Sequence, residues 1–528
     1  MFACNAIAVP LAPSFPTAEL RYIINNSGAI FLLSTNKYAD QAKAVLADGV
    51  EAKTCRHRLI DCQRNDLKRV PDEAVEVELA NLSETNASGM MLFTSGTTAR
   101  PKGVVLSESI LTAQAQSLLT AWQYQSSDHL LHVLPLHHIH GTVNALLTPL
   151  LAGSSIEFMY PFDVNAVWKR LALPFLQPED HKNATQDVAS VSSSIVHNQS
   201  TPISLFTAVP TVWARMLQAY PLLSPDLQKA GKEAISRKHL RLNMSGSAAL
   251  PSPIREGWSK LSDNNILLER YGMTEVGMAL SCGLDDVDRV ENSVGWPLPS
   301  VQVRLMENDG AGLGGVIAPG EEIDLGSNKE RQGEIQLRGP TIFKGYWQNP
   351  TATEKEFTQD GWFKTGDIAI RRLVTGSGEG KSGLWACGPA YFIQGRQSAD
   401  IIKTGGEKVS ALEIEREILA LPQVNECAVV GLPSEAWGQK VAAVVVLAEQ
   451  CDNKQWSLVD MRRELKTRLV PYKIPQDLKI VRTIKRNAMG KVNKKELVPS
   501  TFGDPENIRR RSIDSQEARK TPQNRSAA

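Results

Sequence analysis

Residue types that could cradle a phosphate are concentrated in Thr94–Gly103, which reads TSGTTARPKG. Thr94, Ser95, Thr97 and Thr98 offer hydroxyl donors around Gly96, where backbone N–H groups can approach an anion closely. Lys102 adds a mobile positive charge, and Pro101 stiffens the exit. The spacing is not that of a Gly-x-x-x-x-Gly-Lys-Ser/Thr loop. A polar surface loop is the plainer alternative.

Four further stretches carry compatible chemistry. Leu267–Gly277 reads LLERYGMTEVG. Tyr271 can stack on a base, Thr274 can donate to a phosphate, and Glu275 can hold a magnesium ion through oxygen. His239–Leu250 reads HLRLNMSGSAAL, whose small-residue turn Gly246-Ser247-Ala248 would let a flat ring approach the backbone. Gly361–Asp367 reads GWFKTGD, placing the Asp367 carboxylate in a turn where it can accept two ribose hydroxyls. Leu134–Gly141 reads LPLHHIHG, a histidine group open to a metal site or to core and capping histidines.

Elements must position these groups. Met90–Phe93 reads as a strand running into the first loop. Ala6–Pro10, a helix over Glu19–Ile24 capped by Thr17 and stopped by Gly28, and Ala29–Leu33 read as a strand–helix–strand unit. Ile110–Trp122 reads as a helix, and Leu205–Val209 and Arg241–Met244 as strands. Pro178–Pro202 is polar enough to read as a disordered insertion, and Thr375–Gly388 reads as a Gly/Ser-rich insertion. After Gly395–Glu415 the pattern is that of a smaller α/β unit. It has helices over Glu413–Leu421 and Trp456–Leu469 and strands over Glu426–Gly431, Val441–Leu447 and Leu478–Val481.

Composition bounds the answer. The chain has 528 residues, too many for one core. Its net charge of +1 argues against broad binding to nucleic acid or to a membrane surface. Seven cysteines without paired short spacing read as free thiols in a reducing compartment. The longest apolar runs are too short to span a bilayer.

Together these motifs resemble the adenylate-forming superfamily of acyl-CoA synthetases, luciferases and peptide-synthetase adenylation domains. Ala99 stands where that superfamily usually has glycine. The resemblance is closest to the malonyl-CoA synthetases of the acyl-CoA synthetase family member 3 group. It lies in LPLHHIHG, SGSAALP, LLERYGMTE, DGWFKTGD, DIIKTGG, KVSALEIE and the final MGK. It implies an α/β fold, with a large N-terminal domain of mixed sheets flanked by helices over 1–397. A small mobile α+β domain follows over 398–499, and a disordered tail over 500–528. It implies ATP, Mg2+ and coenzyme A as cofactor and co-substrates, small-molecule substrates, no nucleic-acid partner and no stable membrane insertion.

The resemblance also implies roles. Thr94, Ser95, Gly96, Thr97, Thr98 and Lys102 would hold phosphates. Gly246, Ser247, Ala248, Tyr271 and Gly272 would line the adenine, and Asp367 and Arg396 would hold the ribose. Lys491, Thr274 and Glu275 would be catalytic, with Glu275 on the metal. His138, Met273, Arg241 and Arg289 would meet the acid. Lys403, Gly405 and Gly406 would face the site during thioester formation, after rotation about a hinge within Ser398–Asp400. A dicarboxylate needs a buried guanidinium for its second carboxylate. Arg241, Arg270 and Arg289 all lie near the right motifs, and the group's pattern selects Arg241 and Arg289. The superfamily has a substantial portion ahead of the first strand–helix–strand unit, so the chain reads as truncated. With no targeting peptide visible, an intracellular site, cytoplasm or mitochondrial matrix, is expected. The alternatives are a synthetase for another short or medium-chain acid and a non-catalytic nucleotide-binding relative.

Overall fold

The computed structural model describes residues 5–47, 55–60, 88–94, 101–176, 201–307, 314–405, 407–435, 437–448, 456–486 and 492–503. Ser95, Gly96, Thr97, Thr98, Gly406 and Lys491 lie outside the described residues, as do most of Pro178–Pro202 and the tail beyond Gly503.

The centre of the large lobe is a seven-stranded sheet, ordered Trp296–Pro297, Gly277–Ser281, Leu268–Met273, Leu242–Ser245, Leu205–Ala208, His129–His132, Ser155–Phe158. From Leu268–Met273 to Ser155–Phe158 the strands run parallel, while the Leu268–Met273/Gly277–Ser281 pair is an antiparallel hairpin. The parallel strands are covered on both faces, as their continuous apolar runs require. One face packs on a group containing Trp168, Trp213 and Trp258. The other shares a core with two further sheets, through Leu92 and Val104 on one and Leu305, Ile335 and Leu337 on the other. The first of these further sheets contains Ile7–Ala8, Gly89–Thr94 and Lys102–Ser107; the second is antiparallel, Gln302–Glu307, Gly333–Arg338, Phe363–Arg372, Ala390–Arg396.

A second, smaller sheet follows. The chain leaves the antiparallel sheet at Arg396, makes a turn over 397–400, and enters the Ile401–Thr404 strand. That strand pairs with Glu407–Ser410 and, at one point, with Gly438–Leu447. The long Val424–Ser434/Gly438–Leu447 hairpin carries Asp477–Ile480 on its edge. Helices Ala411–Leu419 and Leu458–Leu465 cover one face and form a separate core with Val429, Val441 and Val445. Ser410 caps the first helix, and Ser457 with Asp460 forms a capping box on the second.

Several sequence readings need correction. The first helix spans Thr17–Ser27 with Pro16 at the cap position, so Thr17 is helical rather than the cap; Gly28 ends it at φ 67°. The strands either side of this helix do not share a sheet. Ile7–Ala8 pairs with Gly89–Thr94, whereas Phe31–Ser34 pairs with Arg56–Leu59. The Gly/Ser-rich 375–388 segment is an ordered loop organised by a buried acid. Asp288 accepts from Gly378 N at 2.9 Å and Ser382 Oγ at 2.7 Å. Its composition resembles a flexible insertion because the loop needs glycines at positive φ, not because it lacks partners. The last helix, Lys494–Phe502, runs past residue 500, so Ser500–Phe502 belongs to it rather than to a disordered tail.

Candidate active site

The site forms where the carboxyl ends of the parallel strands meet the edge of the antiparallel sheet, the position at which α/β folds bind ligands. Leu268–Met273 delivers Tyr271 near its end, and the turn to Gly277 presents Thr274 and Glu275. Gly272 is obligatory in this hairpin. A Cβ there would lie 2.0 Å from the Gly277 carbonyl oxygen.

In the neighbouring sheet Asp367 sits directly across from Arg396 in register, so the cross-strand pair brings carboxylate and guanidinium together. Arg396 Nε donates to Asp367 Oδ1 at 3.0 Å, and the Tyr271 hydroxyl donates to Asp367 Oδ2 at 2.7 Å. Burial, reinforced by the Asp367 charge, pushes the Tyr271 phenol well above its usual range, so it stays a donor. The Arg396 charge also faces Glu275.

Glu275 is buried, and its Oε1 accepts from the Tyr346 hydroxyl at 2.9 Å. The Tyr346 ring lies under Lys102, with Nζ 3.8 Å from its centroid, and Glu356 sits 4.0 Å from the same ammonium. Lys102, Tyr346, Glu275, Arg396, Asp367 and Tyr271 therefore form one connected constellation drawn from three sheets and their loops. Thr94 and Lys102 pair in register at the ends of their two antiparallel strands.

The Gly246-Ser247-Ala248 turn follows Leu242–Ser245 on the same side of the sheet, with Ser247 at φ 69°. A Cβ on Gly246 would lie 2.4 Å from Arg270 Cζ, so the guanidinium packs against this backbone. Arg270 is 5% exposed, and its Nε and Nη2 have no hydrogen-bond partner among the described residues. Burial draws its pKa down to about 10. Next to it is His140, buried, with Nε2 2.5 Å from Thr207 Oγ1 and Nδ1 3.4 Å from Ser247 Oγ. Burial and the Arg270 charge hold His140 neutral, its pKa well below the usual range.

The two arginines that the group's pattern selects are both engaged within the fold. Arg241 precedes Leu242–Ser245, at the opposite end of the strand from the turn. Its guanidinium engages both oxygens of buried Asp128, plus Trp122 O and Gln123 O. Arg289 donates to Ile266 O, Leu284 O and Asn243 Oδ1. Both arginines tie the amino ends of strands in place, Arg289 keeping one unmet donor at Nε, whereas Arg270 keeps two, Nε and Nη2, beside the Gly246 turn.

The remaining predicted residues are placed as follows. Met273 is partly buried against the shared core at the strand end. His138 lies against His137 with ring centroids 4.1 Å apart and the ring planes tilted by 48°. In the smaller lobe, Gly405 sits at φ 58° with its N–H on Trp437 O, and Lys403 is exposed. Among the described residues no three His, Cys, Asp or Glu side chains gather as a metal cluster, and no helix is long and apolar enough to cross a membrane. Sequence reasoning passed over Tyr346 and His140. Tyr346 stands in FKGYW without a charged neighbour to advertise its role, and His140 was one of three close histidines.

The AMP-binding enzyme family profile matches residues 1–173 and 194–347, and the AMP-binding enzyme C-terminal domain matches 413–491. The chain belongs to this family and is an enzyme of its acid–thiol ligase class. It is 65% identical to a CoA ligase of Gibberella moniliformis over 98% of this chain and 85% of that protein. It is 37% identical to the mitochondrial malonate–CoA ligase ACSF3 of Homo sapiens over 94% of this chain and 78% of that one. Among solved structures, ATP-bound MatB from Rhodopseudomonas palustris superposes with a TM-score of 0.70 at 29% identity, covering 94% of this chain and 84% of that one.

Proposed function

We propose that this enzyme joins a small dicarboxylate, malonate and secondarily methylmalonate, to coenzyme A through an acyl-adenylate, releasing AMP and pyrophosphate. The observation that carries the dicarboxylate is Arg270: a buried guanidinium with unused donors, pressed against the turn that lines the nucleotide site. A buried cation is costly without a partner, and a second carboxylate supplies one. The malonate–CoA ligases among its relatives support the same reading.

In the first half-reaction a carboxylate oxygen attacks the α-phosphorus of ATP, and the bond to pyrophosphate breaks. Two anions must meet, so neutralisation and positioning dominate. Thr94–Gly103, with Lys102, holds the phosphates. Tyr271 flanks the adenine together with Gly246, Ser247, Ala248 and Gly272, and Asp367 with Arg396 orients the ribose. Lys491, outside the described residues, bridges the substrate carboxylate and the α-phosphate; Thr274 donates to phosphate. Glu275 fits a magnesium ion. It is a single buried carboxylate, one oxygen fixed by Tyr346, and magnesium commonly takes one or two carboxylates and completes its shell with phosphate and water. The ion would neutralise phosphate charge.

In the second half-reaction the coenzyme A sulfur attacks the acyl carbon, the carbon–oxygen bond to AMP breaks, and the thiol proton leaves. Residues 398–499, with the helix continuing to Phe502, rotate about Ser398–Asp400 against 1–397 and bring Lys403, Gly405 and Gly406 to the site. His138 and Met273 wall the acyl pocket.

The test is thioester formation across mono- and dicarboxylates. Malonate should be preferred over propionate and butyrate, and Lys491→Ala should abolish adenylate formation. A wild type that uses monocarboxylates as well as malonate overturns the dicarboxylate assignment.

A further inference from the structure

The segment Phe343–Trp347, FKGYW, touches both halves of the phosphate path. Phe343 N donates to Glu275 O at 2.9 Å, and Trp347 N donates to Gly103 O at 2.8 Å. Tyr346 pairs with Val104 as an isolated bridge. The Trp347 indole N–H reaches Asn26 O at 3.1 Å, and Tyr22 on the same helix donates to Pro101 O at 2.9 Å. The start of the Lys102–Ser107 strand and the Glu275 turn are thus fastened to one five-residue strip.

Tyr346 is the side chain of that strip that reaches both groups. Its hydroxyl donates to Glu275 Oε1, its ring faces Lys102 Nζ, and its own N–H is fixed by Thr353 Oγ1 at 2.9 Å. Phe343 and Val104 lie in the core, leaving the ring little freedom.

We propose that Tyr346 is a positioning residue that couples the metal-holding carboxylate Glu275 to the phosphate-holding Lys102. It fixes which Glu275 oxygen is left for an ion and how far the ammonium stands from it. Through its hydroxyl it acts on Glu275 and through its ring on Lys102, so the two functions separate by substitution. This rests on the reading above, in which Glu275 holds magnesium and Lys102 holds phosphate.

The experiment is calorimetric binding of ATP to the full chain, with magnesium and with EDTA. In the wild type magnesium should tighten ATP. Tyr346→Phe keeps the ring and should lose about tenfold of that tightening, the value of a charge-assisted hydrogen bond, with metal-free affinity unchanged. Tyr346→Leu also removes the ring and should weaken metal-free ATP binding. Thr353→Val, which touches neither Glu275 nor Lys102, should lose about threefold of the magnesium effect by releasing Tyr346, and it carries the test should Tyr346→Phe not fold. Full retention of the magnesium effect in Tyr346→Phe, or in Thr353→Val where that variant carries the test, overturns the proposal. A wild type that binds ATP equally with and without magnesium overturns the Glu275 assignment beneath it instead.

Discussion

The parallel strands Leu242–Ser245 and Leu268–Met273 meet arginines at both ends, and the two ends treat them differently. At the amino ends, Arg241 is held by Asp128 and backbone carbonyls, and both Nη atoms of Arg289 are held by Ile266 O, Leu284 O and Asn243 Oδ1, with its Nε unmet. Toward the carboxyl ends, Arg270 is buried with unmet donors beside Gly246. Arg241 and Gly246 are five residues apart in a strand, roughly 16 Å at about 3.3 Å per residue. Proximity in sequence to a nucleotide motif therefore says little about which arginine reaches the ligand. The end of the strand decides it: at one end a guanidinium stabilises the fold, and at the other it can recognise an anion.

The strongest way to break this comparison is Arg270→Ala. It should lower kcat/KM for malonate roughly a thousandfold, about 4 kcal/mol, the range for truncating one partner of a buried charge pair. Propionate should change little. Equal losses on both acids would remove the distinction between the two ends.

Arg241→Ala should do the opposite. It leaves Asp128, 3% exposed, without its main partner, and should cost about 3 kcal/mol of stability in denaturant unfolding. The ratio of malonate to propionate activity should stay constant. Burial raises the Asp128 pKa, but the Arg241 bonds outweigh it and the net shift is downward. The stability from this pair is thus present above the ordinary carboxylate pKa and disappears as pH falls. Arg241→Ala and wild type should converge in acid.

Gly246→Ala sharpens the carboxyl-end side. Its Cβ would push into the Arg270 guanidinium, and malonate kcat/KM should fall about tenfold, some 1.4 kcal/mol, with ATP affinity measured in parallel.

The smallest effect concerns Glu269, the residue before Arg270. Burial raises its pKa to about 7, against the pull of Arg416 from the smaller lobe and of Arg255. A carboxyl raised in the folded state favours the folded form below its unfolded pKa, and that contribution is lost as pH rises toward 7. Thermal midpoints of wild type should therefore fall relative to Glu269→Gln between about pH 4.5 and 7. Parallel curves would mean that Glu269 titrates normally.

Tyr-Gly-Met-Thr-Glu, Thr-Gly-Asp and the hydroxyl-rich Thr94–Gly103 stretch were legible because each packs its chemistry into consecutive residues. The helices over Glu108–Trp122 and Ala411–Leu419 and the two long strands of the smaller lobe were legible too, through periodicity. The order of the 375–388 loop was not legible, because Asp288, 90 residues before Gly378, supplies it.

By itself, then, the sequence determined the family and the residue types able to meet a nucleotide. Tertiary structure alone decided which side chains converge. Tyr346 and Glu275 lie 71 positions apart, and Tyr271 and Asp367 lie 96 apart. Contacts of that range depend on how sheets pack and on which end of a strand faces the cleft. Arg270 illustrates the reason: its residue type is local information, but its lack of partners is a property of everything folded around it.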